Sequence, residues 1–194
     1  MATTTDQADD AVARIAEEEG ALVFRGHPTD VLGRYLGAAD AANARLVVRI
    51  TADCPLVMPG IVDEVVKVAR AGGHAYTSNT LTRTYPKGLD VECFTYAALE
   101  RAARAATAPH DREHVTRFMK DRDHEFSQGE LRTEPDRSHL RWTLDYPEDL
   151  AFLDMVYLEL DDPGSMDEVL RLMGEVPAVR ELHDAASARA RADG

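Results

Sequence analysis

The feature that most constrains this chain is a strand–helix–strand rhythm in its first half. Leu46-Val47-Val48-Arg49-Ile50 is a β-branched run with the profile of a strand covered on both faces. Thr51-Ala52-Asp53-Cys54-Pro55 breaks it, and Ile61, Val62, Val65, Val66 and Ala69 then fall on one helical stripe between Gly60 and Arg70. Gly72-Gly73 ends that helix, and His74-Ala75-Tyr76-Thr77 returns as a strand. Ala21 to Phe24 followed by a helix from Asp30 to Ala42 repeats the pattern upstream. This alternation predicts an α/β domain, a three-layer αβα sandwich on a mostly parallel sheet.

The second half is more mixed. Leu89 to Thr95 reads as a strand and Tyr96 to Ala106 as an alanine-rich helix, with a further helix over Asp111 to Lys120. His139 to Leu144 alternates polar and apolar residues, the pattern of a strand with one buried face. Pro147 opens a helix through about Leu160, and Ser165 with Glu168 matches a capping box for the next. A last helix from Pro177 is expected to fray through its Ala-Arg repeats. The domain is expected to occupy residues 1–160, with 161–194 a helical extension of it.

Composition narrows the partners. The 194 residues carry a formal charge of −13, which argues against nucleic acid but leaves room for a small anion held by a few donors. No apolar run approaches the roughly 18 residues of a membrane span, and the N-terminus lacks a signal-peptide pattern, so a cytoplasmic protein is expected. Cys54 and Cys93 lie too far apart for metal-ligand spacing and read as buried free thiols. Asp161-Asp162 and Glu17-Glu18-Glu19 read as solvated faces.

Two acids stand where an α/β sheet gathers its ligands, at the carboxyl ends of strands. Asp53 could hold Mg²⁺, or simply cap the turn before Pro55. Asp145 could do the same, but with Glu148 three residues on it reads on spacing first as a helix N-cap, Asp149 then being a first-turn acid facing the helix dipole. Asn79, Arg83, Lys87, Asp90 and Glu92 fall in a Pro/Gly-bearing loop and the strand after it; they could meet an anionic, hydroxylated substrate or form a solvated loop. His114 is a substrate contact or a structural histidine. The chain contains no GxSxG, P-loop, HExxH or GxGxxG pattern.

Six strings in order resemble one family. They are Val23-Phe24-Arg25-Gly26 with Asp30 to Tyr35, Val48 to Leu56, Ser78-Asn79-Thr80, Tyr85 to Glu92, Arg112 to Thr116, and Leu140 to Leu150. Together they resemble the cytidylyltransferases of the acylneuraminate and spore-coat-polysaccharide type, across residues 23 to 150. The resemblance implies the nucleotidyltransferase fold and transfer of CMP from CTP to an acidic sugar or phosphonate acceptor, with release of pyrophosphate. It implies that Asp53 and Asp145 hold Mg²⁺, which overrides the capping preference at Asp145. It places Arg34 and Arg49 on the nucleotide side, and Asn79, Lys87, Asp90, Glu92 and His114 on the acceptor side. Ala52 stands where the family usually has glycine.

In that family a loop of the type Arg-x-x-Ser-x-Arg-Leu-Pro-Gly-Lys grips the triphosphate, and a strand ending in Ala-Thr-Thr follows it. Met1-Ala2-Thr3-Thr4-Thr5-Asp6 resembles the tail of that strand, so the chain reads as lacking the opening βαβ unit. Three expectations follow: an active enzyme whose start is placed too late, a truncated homologue that binds without catalysis, or a split enzyme whose loop sits on another chain. The reading leaves a homodimer open and predicts weak CTP·Mg²⁺ binding by these 194 residues alone.

Overall fold

The computed structural model describes residues 1–161 and 163–193. Asp162, half of the acidic pair, and the terminal Gly194 lie outside the described residues; Asp161 and Glu17 to Glu19 are exposed. Among the described residues sixteen short elements follow one another. In order they are β1 (Ala2–Thr4), a 3₁₀ turn (Gln7–Asp9), α1 (Asp10–Glu18), β2 (Phe24–Gly26), α2 (Val31–Ala41), β3 (Leu46–Arg49), α3 (Pro59–Gly72), β4 (Tyr76–Ser78), β5 (Glu92–Thr95), α4 (Tyr96–Ala105), α5 (Pro109–Glu113), α6 (Arg117–Lys120), β6 (Gln128–Glu130), α7 (Pro147–Leu160), α8 (Met166–Glu175) and α9 (Pro177–Asp193). The fold is mixed α/β. β1 and β2 form a parallel pair with Thr3 opposite Arg25, and the remaining strands form a sheet in the order β3-β5-β4-β6. The Ala-Thr-Thr tail is thus a strand in its own right.

The chain divides into two compact units, 1–47 with 73–76 and 93–128, and 48–72 with 77–92 and 129–194. In the first, α2 packs on β1, β2, α4 and α5, and Leu32 and Ala39 supply its buried face. Asp30 starts α2 by accepting the Gly33 N–H at 2.9 Å, a side-chain N-cap. The same carboxylate takes two donors from Arg112, at 2.9 and 2.7 Å, so one acid both caps α2 and ties α5 to it.

In the second unit α7 lies against α9 and α8 against both. Trp142, Phe152, Val156 and Val169 are fully or almost fully buried there with Leu56, Met58 and Leu89. The Ser165–Glu168 capping box forms as the sequence expects, and Pro147 opens α7.

Four segments depart from the sequence expectation. His139 to Leu144 makes only an isolated parallel bridge, Lys87 with Arg141, rather than a strand. Its other backbone groups are spent elsewhere: Arg141 N–H on His183 Nε2, Leu144 N–H on Asp53 O, Leu140 N–H on Arg137 O. The helix expected over Asp111 to Lys120 breaks into α5 and α6 because Val115 adopts φ 51, a conformation costly for a β-branched residue and held here by complete burial of its side chain. The C-terminal repeat stays helical to Asp193, favoured by alanine and by an i,i+4 pair between Arg189 and Asp193. β3 is only half-buried, with Ile50 beyond it 39% exposed, and not covered on both faces.

Candidate functional site

The second unit brings three of the sequence-selected residues, Asp53, Lys87 and Asp145, into one neighbourhood built around two chain crossings. At the first, Lys87 bonds to the two residues flanking Arg141, Lys87 N–H to Leu140 O at 3.0 Å and Trp142 N–H to Lys87 O at 2.6 Å. At the second, Leu144 N–H donates to Asp53 O at 2.8 Å, and the Thr143 hydroxyl reaches the same oxygen at 2.9 Å. Asp145 is the next residue along. The turn after β3 and the segment before α7 are therefore stitched side by side at their acids.

Asp53 sits in a tight turn closed by Cys54 N–H on Thr51 O. Its Oδ1 accepts from the Thr51 hydroxyl and, at 3.6 Å, from the Cys54 thiol; Thr143 Oγ1 lies 3.3 Å from Oδ2. Burial pushes this carboxyl up, but the hydroxyl and thiol donors outweigh it and hold it below the ordinary aspartate range. The group is ionised at neutral pH. Burial pushes the neighbouring Cys54 thiol up to about 11, and a backbone donor from Asp90 reaches its sulfur.

Asp145 is held from its own segment. Arg141 donates to its Oδ2 at 2.8 Å, and Lys87 Nζ lies 4.0 Å from the same oxygen in a more exposed pair. Asp145 does not cap α7. The N-cap position is Tyr146, and Asp149 in the first turn completes the capping box, its Oδ2 accepting the Asp145 and Tyr146 N–H groups at 2.8 and 2.9 Å and the Arg141 guanidinium at 2.7 Å.

The remaining candidates divide by what their side chains are already doing. Asp90 forms a two-pronged pair with Arg83, at 2.5 and 2.7 Å, and Glu92 pairs with Arg49 at 2.5 Å with little solvent on either. Asn79 is fully buried: its amide donates to Leu89 O at 2.7 Å and accepts the Val91 N–H at 2.9 Å. Asn79 thus shapes the Gly88 to Val91 backbone. Arg34 and His114 belong to the first unit. Arg34 donates to the carbonyls of His27 and Pro28, while its Nε is buried without a partner. His114 is exposed, its ring edge-to-face with His110 at 4.3 Å. The first unit also holds a cavity of about 600 Å³ lined by His27, Thr29, Asp30, Thr107, Pro109, Arg112 and Glu113.

Sequence reasoning passed over Arg141, Thr51 and Thr143. The signal for Arg141 was its spacing, four residues before Asp145 and eight before Asp149, which suggests one helical face in a segment that is extended instead.

Could the two acids hold a metal? Among the described residues no cluster of three or more acidic, histidine or cysteine side chains is placed to do so. Two carboxylates fit Mg²⁺, which takes hard oxygen donors and fills its octahedron with water and substrate phosphates. They do not fit a metal needing a full protein cage.

His183 of α9 links this site to the helical layer. Its Nε2 accepts the Arg141 N–H at 3.4 Å, so that nitrogen is unprotonated; Nδ1 lies 3.2 Å from Asp184. Burial lowers its pKa, with Asp184 opposing. Because the native form resists the proton that the unfolded chain accepts, the stability His183 contributes is full above about pH 6.5 and is lost as pH falls through its lower native value. The melting temperature is expected to fall between pH 7.5 and 5.5, and His183→Gln, which keeps an acceptor, is expected to flatten that fall. An equal drop in both proteins would remove His183 from the effect.

Residues 1–172 match the cytidylyltransferase family model. The chain is 34% identical over 164 residues to the uncharacterized protein MJ1063 of Methanocaldococcus jannaschii, covering 82% of this chain and 64% of that protein. It therefore spans less than two thirds of that relative's length. It is 26% identical over 183 residues to the spore coat polysaccharide biosynthesis protein SpsF of Bacillus subtilis, covering 91% of this chain and 75% of that one. Its structure superposes on a cytidylyltransferase from Leptospira borgpetersenii with a TM-score of 0.85 and 31% identity, covering 91% and 75% of the two chains.

Proposed function

Because the chain belongs to the cytidylyltransferase family, we propose that it transfers CMP from CTP to an acidic sugar or a related phosphonate acceptor. An acceptor oxygen bonds to the α-phosphorus, the bond to the bridging oxygen breaks, and pyrophosphate leaves with its electron pair; the acceptor's proton passes to water. The observation that carries the reading is the stitching of Asp53 to the Thr143-Leu144-Asp145 segment. That stitching supports a site shared by two acids, of which Asp53 is held below the ordinary aspartate range. Asp53 and Asp145 would hold Mg²⁺, which supplies neutralisation of the phosphate charge. This chain's own part is positioning. Lys87 stands beside Asp145 on an exposed side chain free to meet an anion, and the Asp90–Arg83 pair offers both acceptors and donors to a hydroxylated acceptor. The name of the Bacillus subtilis relative supports a place in surface polysaccharide synthesis, in the cytoplasm where CTP is made.

The test is pyrophosphate release from CTP with Mg²⁺ across a panel of nonulosonic acids, octulosonic acids, neutral sugars and phosphonates. Release that needs an acidic acceptor, and that CTP supports at least tenfold better than ATP, GTP or UTP, is the expected result. No release with any acceptor would leave a binding protein without transfer activity.

A further inference from the structure

One guanidinium nitrogen in the second unit serves two acids. Arg141 NH2 lies 2.8 Å from Asp145 Oδ2 and 2.7 Å from Asp149 Oδ2. The two acids differ in access: the Asp145 side chain is 41% exposed and Asp149 only 2%. Asp149 is closed off from solvent, with its Oδ2 already accepting two backbone N–H groups and the guanidinium. It has no room for a cation. Yet its charge decides how much of Arg141 is left over for Asp145.

We infer that Asp149 is a positioning residue, the counter-ion that keeps Arg141 from neutralising Asp145 and so leaves Asp145 available to a divalent cation. The inference rests on the reading of Asp53 and Asp145 as the metal-holding pair. The charge count carries it. Asp53, Asp145 and Asp149 bring three negative charges and Arg141 one positive, leaving a net of two to face a dication. Lys87 adds a positive charge only from an exposed side chain, which water screens. Without the Asp149 charge, Arg141 pairs fully with Asp145 and half of that net is gone. Capping of α7 is a separate duty. An asparagine oxygen accepts the Asp145 and Tyr146 N–H groups as a carboxylate does, so Asp149→Asn keeps the cap and removes only the charge.

The probe is Mn²⁺ alone, titrated into isotope-labelled protein while amide signals of residues 51–54 and 143–146 are followed for paramagnetic broadening. Asp149→Asn is expected to raise the Mn²⁺ concentration for half-broadening about five- to tenfold, the scale of one charge several ångströms from a half-exposed site. Arg141→Gln is expected to lower it severalfold, and the double variant to return within about twofold of the wild type. Structural damage only weakens a site, so tightening in Arg141→Gln separates charge from packing even if Asp149→Asn folds poorly. Unchanged or weaker binding in Arg141→Gln, or unchanged binding in a folded Asp149→Asn, overturns the role of Asp149 and leaves the metal reading standing. Absence of broadening at both segments in the wild type overturns the metal reading itself.

Discussion

Asp53→Asn is expected to lower CTP-dependent pyrophosphate release by roughly a thousandfold with the fold intact, the order of loss found when a preorganised electrostatic contact to transferring phosphates is removed. The Asp53 main chain accepts from Leu144 and Thr143, and those bonds are untouched by the substitution. An amide oxygen can still accept from the Thr51 hydroxyl, so the turn keeps its local bonds. What disappears is a negative charge that its surroundings hold ionised across the working pH range. The measurement is turnover at saturating CTP with Mg²⁺ varied up to tens of millimolar, beside a thermal melt. Turnover within tenfold of wild type would take Asp53 out of the reaction.

Gly88→Ala is expected to destabilise the protein by about 3 kcal/mol or more, lowering the melting temperature by roughly 6–12 °C. Gly88 adopts φ 106, where an L side chain is strained whatever the space around it. There is no space either. A Cβ would stand 2.5 Å from the Trp142 carbonyl oxygen and 2.7 Å from the Thr143 nitrogen, both main-chain atoms that cannot swing aside. Its neighbours on each side matter to the site, because Lys87 pairs with Trp142 and Leu140 through the backbone. Loss of activity should therefore accompany loss of stability. A melting temperature within 2 °C of the wild type would show that the crossing relaxes at no cost.

Local pattern made the helices legible. Pro147, the Ser165–Glu168 box and the apolar stripe of α3 each act within a few residues, so their outcome is written where they stand. What escaped was decided at a distance. Whether His139 to Leu144 forms a strand depends on Lys87, Asp53 and His183 claiming its hydrogen-bonding groups, and Asp53 stands 90 residues from Thr143 and His183 42 residues from Arg141. No periodicity encodes that. Val115 shows the same limit, since only its buried surroundings make a left-handed valine tolerable.

The acids were legible as types and positions, and their division of labour was not. Asp145 and Asp149 flank the proline-led start of α7, and spacing alone cannot say which carboxylate turns inward to take its backbone N–H groups. Asn79, Asp90 and Glu92 were selected as substrate-side residues, and the structure adds partners that the sequence does not display: backbone groups for Asn79, Arg83 for Asp90 and Arg49 for Glu92. A sequence lists functional groups without showing which are already partnered.

The two thiols give the molecule a built-in clock. Cys54 and Cys93 are both buried and outside any disulfide, and at neutral pH a thiol with a pKa of about 11, as at Cys54, is ionised in roughly one molecule in ten thousand. A disulfide-exchanging dye in solution reacts only with the thiolate and only where it can touch sulfur. With Cys93→Ser in place, so that Cys54 alone reacts, its rate of colour development therefore reports how often the turn carrying Asp53 springs open, and the slowing of that reaction by an added molecule would reveal occupancy of the neighbourhood without any enzymatic readout.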